Sequence, residues 1–243
     1  MCIDLKGKNA LVVGGTSYIG SCVVKTLLNS DANVIFTGTA LSEPRTKENR
    51  MKKKFAHYIR YRIGQDQDLK ELTKAVRRIF CERLHILIYV PGPVIYKTLS
   101  KTSLSELNRL FTENLFGFFE IYKAMDRFLG SNDYARIVAF TCAGSEYLSA
   151  KKLMPAYFAA KSALLSILRS LAYELSERKI TVNAIAPGIM EGARIPTSRA
   201  RRKLPSGRKG TCKDIATVLE LILSPESGYL TGSSFVVSGG YGV

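Results

Sequence analysis

Hydrophobic positions along the chain follow two alternating patterns. Short apolar runs rich in β-branched residues predict buried strands, and they occur at Asn9–Gly14, Asn33–Thr37, Tyr58–Ile63, Ile86–Val90, Ile137–Thr141, Thr181–Ala184 and Phe235–Val237. Segments with apolar residues at helical spacing lie between them, at Ile19–Asn29, Leu69–Cys81, Leu104–Leu129 and Tyr157–Arg178. Strands that are apolar throughout are typical of a parallel sheet that is covered on both faces. The pattern predicts an α/β fold of the Rossmann type, a doubly wound parallel sheet with helices on both faces.

The alternation continues from one end of the chain to the other. No linker, internal repeat or low-complexity tract interrupts it, so we expect residues 1–243 to form a single domain. The composition, 46% hydrophobic and 23% charged, excludes disordered, collagen-like and coiled-coil proteins. No apolar run approaches the ~18 residues of a membrane helix, and the N-terminus lacks a signal-peptide pattern. We therefore expect a cytoplasmic protein without a membrane partner.

The five cysteines are scattered along the chain, at Cys2, Cys22, Cys81, Cys142 and Cys212. Their number is odd, no C-x-x-C motif occurs and only two histidines accompany them. This pattern predicts neither a disulfide framework nor a metal site. It is typical of a protein from a reducing cytosol.

Net charge is the unusual property of this sequence. The 36 basic and 20 acidic side chains give a formal charge of +16, and nearly all the excess lies in two segments, residues 44–62 and 192–213. Two basic segments on a nearly neutral body indicate anionic ligands or partners, such as phosphates, acidic proteins or nucleic acid. Nucleic acid is the weakest of these interpretations, because no recognised binding module accompanies the charge.

A turn of small residues, Gly14–Gly20, joins the first predicted strand to the first predicted helix. Such a turn lets the backbone approach a pyrophosphate, whose charge the helix N-terminus stabilises. NAD-binding domains place an acidic residue at the end of the second strand, where this chain has Thr37-Gly38-Thr39 and no acid before Glu43. The missing carboxylate and the basic run that follows favour NADP(H) over NAD(H), with Thr39 at the ribose; alternatively, the basic run only solvates a helix.

Tyr157 and Lys161 are four residues apart on a predicted helix, so their side chains share one face. A free phenol has a pKa of ~10, too high for efficient proton exchange at neutral pH. A nearby ammonium would stabilise the phenolate and lower that pKa. We interpret the pair as proton-transfer machinery; the alternative is a packed tyrosine and a solvated lysine.

These segments resemble the short-chain dehydrogenase/reductase family. Val13–Gly20 is similar to its Thr-Gly-x-x-x-Gly-Ile-Gly motif, with Val13 in place of the threonine and Tyr18 in place of the middle glycine. The resemblance implies that Gly14, Tyr18 and Ile19 bind the cofactor. The Tyr18 side chain must then point away from the pyrophosphate or partly cover it.

Two further motifs of the family extend the cofactor site. Tyr89–Gly92 stands where the family has Asn-Asn-Ala-Gly, so that only Gly92 is kept and Pro91 replaces an alanine. Ile180–Gly188 resembles the segment that ends in Val-Asn-x-x-x-Pro-Gly, although Gly192 replaces the threonine that follows it. This likeness implies contacts to the nicotinamide end from Pro187, Gly188 and Ile189.

The family resemblance also implies the remaining catalytic groups. Glu113-Asn114-Leu115 matches Val-Asn-Leu, whose asparagine holds a relay water behind the lysine. Arg136–Cys142 resembles Arg-Ile-Val-x-Ile-Ser-Ser and places Cys142 at the carbonyl-orienting serine. A thiol is a weak donor, and loss of an oxyanion donor costs ~10²–10³ in rate. Ser145 is the alternative, because the gap to the tyrosine is about two residues longer than the family has.

Among members of the family, the chain most resembles the 3-oxoacyl-(acyl carrier protein) reductases, through Val34–Thr39 and the terminal Gly-Gly-Tyr-Gly-Val. The resemblance implies NADPH-dependent reduction of a ketone, with Tyr157 as the proton donor. It also implies that Tyr157 and Lys161 contact the cofactor, with Lys161 holding its ribose. The substrate would be a small molecule or an acyl group on its carrier, docked at Arg178 and the basic segment 192–213. The resemblance also implies that the two long predicted helices form the interface of a homodimer or homotetramer.

Two other interpretations stay open. Tyr147 and Tyr157, ten residues apart around a proline, resemble enoyl-(acyl carrier protein) reductases, but those place the lysine where this chain has Leu164. The departures at Tyr18, Pro91 and Cys142 also fit a catalytically impaired member that serves as a binding or scaffold subunit.

Overall fold

Seven parallel strands form one sheet in the order β3-β2-β1-β4-β5-β6-β7. The computed structural model describes residues 3–41, 55–130, 134–193 and 204–242, so most of the two basic segments lies outside the described residues. The strands are β1 Asn9–Val13, β2 Asn33–Gly38, β3 Ala56–Arg60, β4 Ile86–Tyr89, β5 Ala135–Phe140, β6 Ile180–Pro187 and β7 Ser234–Val237. The strand order reverses between β1 and β4, and ligands of such sheets bind in the crevice at that point.

Helices cover both faces of the sheet, which confirms the predicted Rossmann-type fold. They are α1 Tyr18–Asn29, α2 Asp66–Phe80, α3 Leu104–Phe111, α4 Gly117–Met125, α5 Pro155–Glu174 and α6 Cys212–Leu223. Along β1, Leu11 and Val13 pack toward α2, α4 and α5, while Ala10 and Val12 pack toward α1 and α6. Because successive strand side chains point to opposite faces, both faces require apolar residues. Within the described ranges, no helix combines the length and apolarity needed to cross a bilayer.

The prediction of one helix over Leu104–Leu129 is wrong. The structure divides it into α3, a π-helical turn at Thr112–Phe116 and α4. The buried Tyr89 hydroxyl donates a hydrogen bond of 2.7 Å to the Glu113 carbonyl, which removes that carbonyl from the regular helical pattern. π-turns of this kind occur frequently at functional sites, and this one carries Asn114.

Two predicted strands differ from the observed strands by only a few residues at their ends. β3 is the edge strand and covers Ala56–Arg60 rather than Tyr58–Ile63, because its pairing with β2 sets its limits. β6 continues to Pro187, beyond the predicted end at Ala184. Helix α6 has no counterpart among the helices predicted from the hydrophobic pattern.

Cys22 and Cys212 form a disulfide between α1 and α6, which contradicts the prediction that the cysteines are unpaired. The two residues are 190 positions apart in sequence, and their Cα atoms lie 5.2 Å apart. The spacing of cysteines along a chain carries no information about such a contact, because the packing of α1 against α6 creates it. Cys81 and Cys142 are free.

We expect reduction of this disulfide to lower the free energy of unfolding by about 2–4 kcal/mol, because the bond closes a very long loop in the denatured chain. Urea denaturation with and without reductant measures the difference. Thiol titration of the denatured protein should count two more reactive cysteines after reduction. The exposed Cys81→Ser variant is the control and should keep the wild-type difference; equal stability with and without reductant would contradict the prediction.

Candidate active site

A cavity of about 1370 Å³ lies at the carboxyl edge of the sheet. All ten predicted cofactor-binding residues line it: Gly14, Tyr18, Ile19, Thr39, Gly92, Tyr157, Lys161, Pro187, Gly188 and Ile189. Cys142 lines it as well, whereas Asn114 is fully buried behind the wall. The fold thus brings together residues from distant segments, as the predicted site requires, and their individual roles stay predictions.

The first turn has the backbone that a pyrophosphate site needs. Gly14 has a positive φ of 77°, and a Cβ at Gly20 would lie 2.1 Å from the Gly14 carbonyl oxygen. Ser17 caps α1 by accepting a hydrogen bond of 3.0 Å from the Gly20 N–H. The turn and the positive end of the α1 dipole therefore meet at the cavity wall, where an anionic diphosphate fits.

Tyr18 reaches from α1 to the segment that follows β6. Its hydroxyl donates a hydrogen bond of 3.0 Å to Glu191 Oε2, and burial, followed by this carboxylate, raises the pKa of Tyr18. A Cβ at Gly192 would lie 2.4 Å from Tyr18 Cγ. Two departures from the family motifs, Tyr18 and Gly192, are therefore neighbours, since the Tyr18 ring takes the space that a side chain at position 192 would need. The ring covers part of the cavity and leaves the rest open.

The ribose end of the cavity carries cations. Arg60 Nε donates to the Thr39 carbonyl over 3.3 Å, and Arg62 lines the cavity. Asp68 holds the Arg62 guanidinium through bonds of 2.8 and 3.1 Å. Between the end of β2 and Leu41, the last residue described there, no acidic side chain occurs, and Glu43 lies outside the described residues.

Lys161 is buried one helical turn after Tyr157 on α5. Its Nζ donates 2.6 Å to the Phe140 carbonyl and 3.2 Å to the Pro91 carbonyl, and it lies 5.9 Å from the centroid of the Tyr157 ring. Burial lowers the pKa of Lys161 to about 8. The carbonyl groups of Phe140 and Pro91 therefore hold the Lys161 ammonium in place.

The pKa of Tyr157 is raised in this structure, which is opposite to the predicted lowering by Lys161. Burial is the largest cause, and the neighbouring Cys142 adds to it. Burial destabilises the phenolate by removing it from water. Lys161 offsets only part of this effect, because its ammonium faces the two carbonyl groups. Tyr157 is consequently a neutral phenol at pH 7.

Cys142, rather than Ser145, faces the cavity. Its thiol neighbours both Ser145 and Tyr157, and burial raises the pKa of the thiol to about 11. Ser145 does not line the cavity, and its buried hydroxyl has no nitrogen or oxygen partner among the described residues. At neutral pH Cys142 is a protonated thiol, which is a weak donor and a poor nucleophile.

Gly92 separates Lys161 from Asn114. A Cβ on Gly92 would lie 2.8 Å from Lys161 Nζ and 3.1 Å from Asn114 Oδ1, so a side chain at this position would displace the Lys161 ammonium. Asn114 Nδ2 donates 2.9 Å to the Leu110 carbonyl. Its Oδ1 is buried without a hydrogen-bond partner in the described part of the chain, and an unpaired buried acceptor is costly unless something donates to it.

The cavity is also lined by residues that the sequence pattern did not indicate, namely Tyr96, Lys151, Lys152, Leu153 and Tyr241. Tyr241 arrives from the last turn of the chain, whose Gly242 abuts the Ala143 carbonyl. No periodic pattern marks these positions. The terminal Gly-Gly-Tyr-Gly motif was the only available signal, and it indicated a relationship rather than a contact.

Arg178, the predicted carrier-docking residue, lies before β6 at the opposite edge of the sheet. Its guanidinium donates 2.7 Å to Asp126 Oδ1 and 2.9 Å to the Leu129 carbonyl. In the other docking candidate, the segment 192–213, residues 194–203 lie outside the described residues, and Arg208 forms a two-bond ion pair with Asp214. Docking at these positions stays a prediction.

Comparison with known proteins agrees with this geometry. The family described as enoyl-(acyl carrier protein) reductase matches residues 14–242. The 3-oxoacyl-[acyl-carrier-protein] reductase FabG of Rickettsia bellii is 27% identical over 244 residues, with 98% of each chain covered. The protein of the same name from Salmonella typhimurium is 29% identical over 251 residues, again with 98% coverage of each.

Solved structures give the same result. A mutant of the Serratia marcescens short-chain dehydrogenase/reductase superposes with a TM-score of 0.85 at 25% identity, covering 98% of this chain and 99% of that one. An NADPH-bound short chain oxidoreductase of Pseudomonas aeruginosa PAO1, described as containing an atypical catalytic center, gives 0.88 at 26% identity, with 98% of each chain covered. The chain belongs to the short-chain dehydrogenase/reductase family and is an NAD(P)-dependent oxidoreductase of that family.

Proposed function

We propose that this enzyme uses NADPH to reduce the ketone of a 3-oxoacyl thioester to a hydroxyl group. The observation that carries the proposal is a neutral phenol, Tyr157, and a buried lysine, Lys161, in one cavity with the glycine turn. Relatives at 27–29% identity that match almost the whole chain are 3-oxoacyl-[acyl-carrier-protein] reductases, which supports the thioester. A bound nicotinamide dinucleotide supplies the hydride.

Tyr157 acts as the general acid. Negative charge develops on the carbonyl oxygen during reduction, and the phenol donates its proton to that oxygen. The reverse reaction would need the phenolate, which burial disfavours here. The raised pKa of Tyr157 therefore keeps the phenol in the protonated form that reduction requires at neutral pH.

Lys161 resupplies the proton, and Asn114 holds the water beside it. Lys161 has a pKa of about 8, so its ammonium can lose and regain a proton near neutrality. Both side chains face the space beside Gly92, where a water could accept a hydrogen bond from Lys161 and donate one to the unpaired Asn114 Oδ1. The π-turn aims the Asn114 side chain at that place.

The preference for NADP(H) rests on the ribose end of the cavity. Thr39 lines it in place of an acidic residue. Arg60 lies beside it through its hydrogen bond to the Thr39 carbonyl, whereas the Arg62 guanidinium is already paired with Asp68. A guanidinium attracts a ribose phosphate, whereas a carboxylate would repel it. We infer tighter binding of NADPH than of NADH.

Thermal unfolding with each dinucleotide tests cofactor binding. We expect NADPH at 100 times its Kd to stabilise the protein by ~2.7 kcal/mol, and NADH at the same concentration to stabilise it less. Loss of reduced-nicotinamide absorbance with acetoacetyl coenzyme A then tests reduction. If neither dinucleotide raises Tm, the protein is instead the impaired binding subunit that the motif departures allow.

Enoyl-thioester reduction finds less support. Tyr147, the extra tyrosine of that pattern, is 62% exposed and does not line the cavity. Leu164, at the position of the lysine in that pattern, is fully buried in the apolar core. Lys161, four residues after Tyr157, is the lysine buried beside the tyrosine, which favours the ketone as substrate.

We also propose a homodimer or homotetramer formed through the helices next to the site. Phe116 and Phe119, at the junction of the π-turn and α4, are 57% and 48% exposed. Exposed aromatic residues on neighbouring helical positions are typical of an interface between subunits.

A further inference from the structure

We propose that Lys151 and Lys152 form an anion-binding subsite at the substrate end of the cavity. The substrate would then be a 3-oxo thioester that carries a phosphate or carboxylate group away from the reacting ketone. This inference rests on the proposed ketone reduction and extends it to the class of substrate.

The two lysines lie on the loop between β5 and α5 and line the same cavity as Tyr157. Lys151 Nζ is 4.9 Å from the centroid of the Phe158 ring, and the Phe158 and Tyr157 ring centroids are 6.0 Å apart. The ammonium is thus one aromatic ring away from the proton donor. An anion bound there would belong to the same molecule as a ketone beside Tyr157.

No carboxylate of the described residues pairs with either lysine. Glu146, an acidic residue on the same loop, directs one oxygen at the Gly144 N–H, over 3.0 Å, and the other at the Ser234 hydroxyl, over 2.7 Å. Lys97, a lysine close to this end of the cavity, is in contrast neutralised by Glu106. Two adjacent uncompensated cations at a cavity wall create a positive potential that concentrates anions.

The loop is anchored where it enters α5. The Met154 N–H donates 2.9 Å to the Lys97 carbonyl, and Met154 adopts a left-handed conformation just before the helix begins at Pro155. This anchor fixes the end of the loop next to the lysines. The subsite is therefore built on a turn of defined geometry.

The wall around the lysines is apolar. Tyr96 and Leu153 line the cavity and are 59% and 51% exposed. An apolar wall with two cations matches a substrate whose uncharged arm ends in an anion. A phosphate on the thioester arm and a carboxylate on the acyl chain share this chemistry.

Three 3-oxo thioesters test the subsite: one of coenzyme A, one of neutral N-acetylcysteamine, and an N-acetylcysteamine thioester whose acyl chain ends in a carboxylate. We expect the Lys151→Ala/Lys152→Ala variant to lower kcat/KM for an anionic substrate, relative to the neutral one, about tenfold or more, because a charge-assisted hydrogen bond contributes about 1.5–3 kcal/mol. A loss confined to coenzyme A identifies the phosphate, and a loss confined to the third substrate identifies the carboxylate. The Lys151→Arg/Lys152→Arg variant should retain the wild-type ratio.

Lys70→Ala, a change of an exposed α2 lysine outside the cavity, is the matched control and should keep the wild-type ratio. Calorimetric titration with coenzyme A alone reads the subsite without turnover, and the double alanine variant should bind it at least tenfold more weakly if the anion is the phosphate. Unchanged ratios for both anionic substrates overturn the subsite while ketone reduction stands. If the wild-type enzyme reduces none of the three thioesters, the proposed function fails and the substrate assignment fails with it.

Discussion

Replacing Tyr157 with phenylalanine should lower kcat for a 3-oxoacyl thioester by about 10²–10⁴-fold, the range that positioned proton transfer contributes. The change removes the hydroxyl group and keeps the ring that packs edge-on against Phe158. The affinity for NADPH should change little, because the glycine turn and the residues after β6 remain. Steady-state kinetics and equilibrium titration of the dinucleotide measure the two quantities separately.

The pH profile adds a second readout for Tyr157. The reduction rate should fall as pH rises through the pKa of Tyr157, since only the protonated phenol can donate. Burial raises that pKa, so this decline should lie at higher pH than the one caused by Lys161, whose pKa is about 8. Only the decline at higher pH should disappear in the phenylalanine variant. Tyr147→Phe, a change of an exposed tyrosine that does not line the cavity, serves as the control. Turnover of Tyr157→Phe within a few-fold of wild type would exclude the phenol as the proton donor.

Replacing Cys142 with serine should raise kcat/KM by about 10²-fold, toward the value of an ordinary oxyanion donor. Cys142 lines the cavity and its thiol contacts Tyr157, so a hydroxyl there would be placed to donate to the substrate carbonyl. Because the pKa of the thiol is about 11, it is a neutral and weak donor at pH 7. Kinetics at saturating NADPH measure the gain.

Ser145→Ala provides the matched comparison. Ser145 is buried and does not line the cavity, so its loss should leave kcat near the wild-type value. The opposite pattern, with no gain in Cys142→Ser and a large loss in Ser145→Ala, would transfer the donor role to Ser145. Cys142→Ala should lower kcat/KM below the wild-type value, because it removes the thiol donor.

The sheet and most of its helices could be predicted from hydrophobic pattern. Buried parallel strands need apolar side chains on both faces, so Leu11 and Val12 are both apolar although they point to opposite sides. The predicted edge strand β3 differs from the observed one by about two residues, because the limits of the strand depend on pairing with β2. The helix predicted over Leu104–Leu129 was divided because the Tyr89 hydroxyl, from another element, takes one of its carbonyl groups.

The sequence by itself determined the local motifs that supply the glycine turn and the tyrosine–lysine pair. Gly14, Tyr157 and Lys161 lie in short motifs. A turn of small residues and a helical i, i+4 pair are each defined by the spacing of residues within a few positions. Such motifs can be recognised in a sequence before the fold is known.

Only the tertiary structure decided the contacts between distant segments. It placed Cys142 rather than Ser145 at the cavity, paired Cys22 with Cys212, and seated the Tyr18 ring on Gly192. It also reversed the expected direction of the Tyr157 pKa, because burial depends on everything packed around the phenol and the nearby lysine is only one part of it. Spacing along a chain fixes neighbours within a turn or helix, whereas solvent exclusion and contacts between elements arise only when the whole chain is packed.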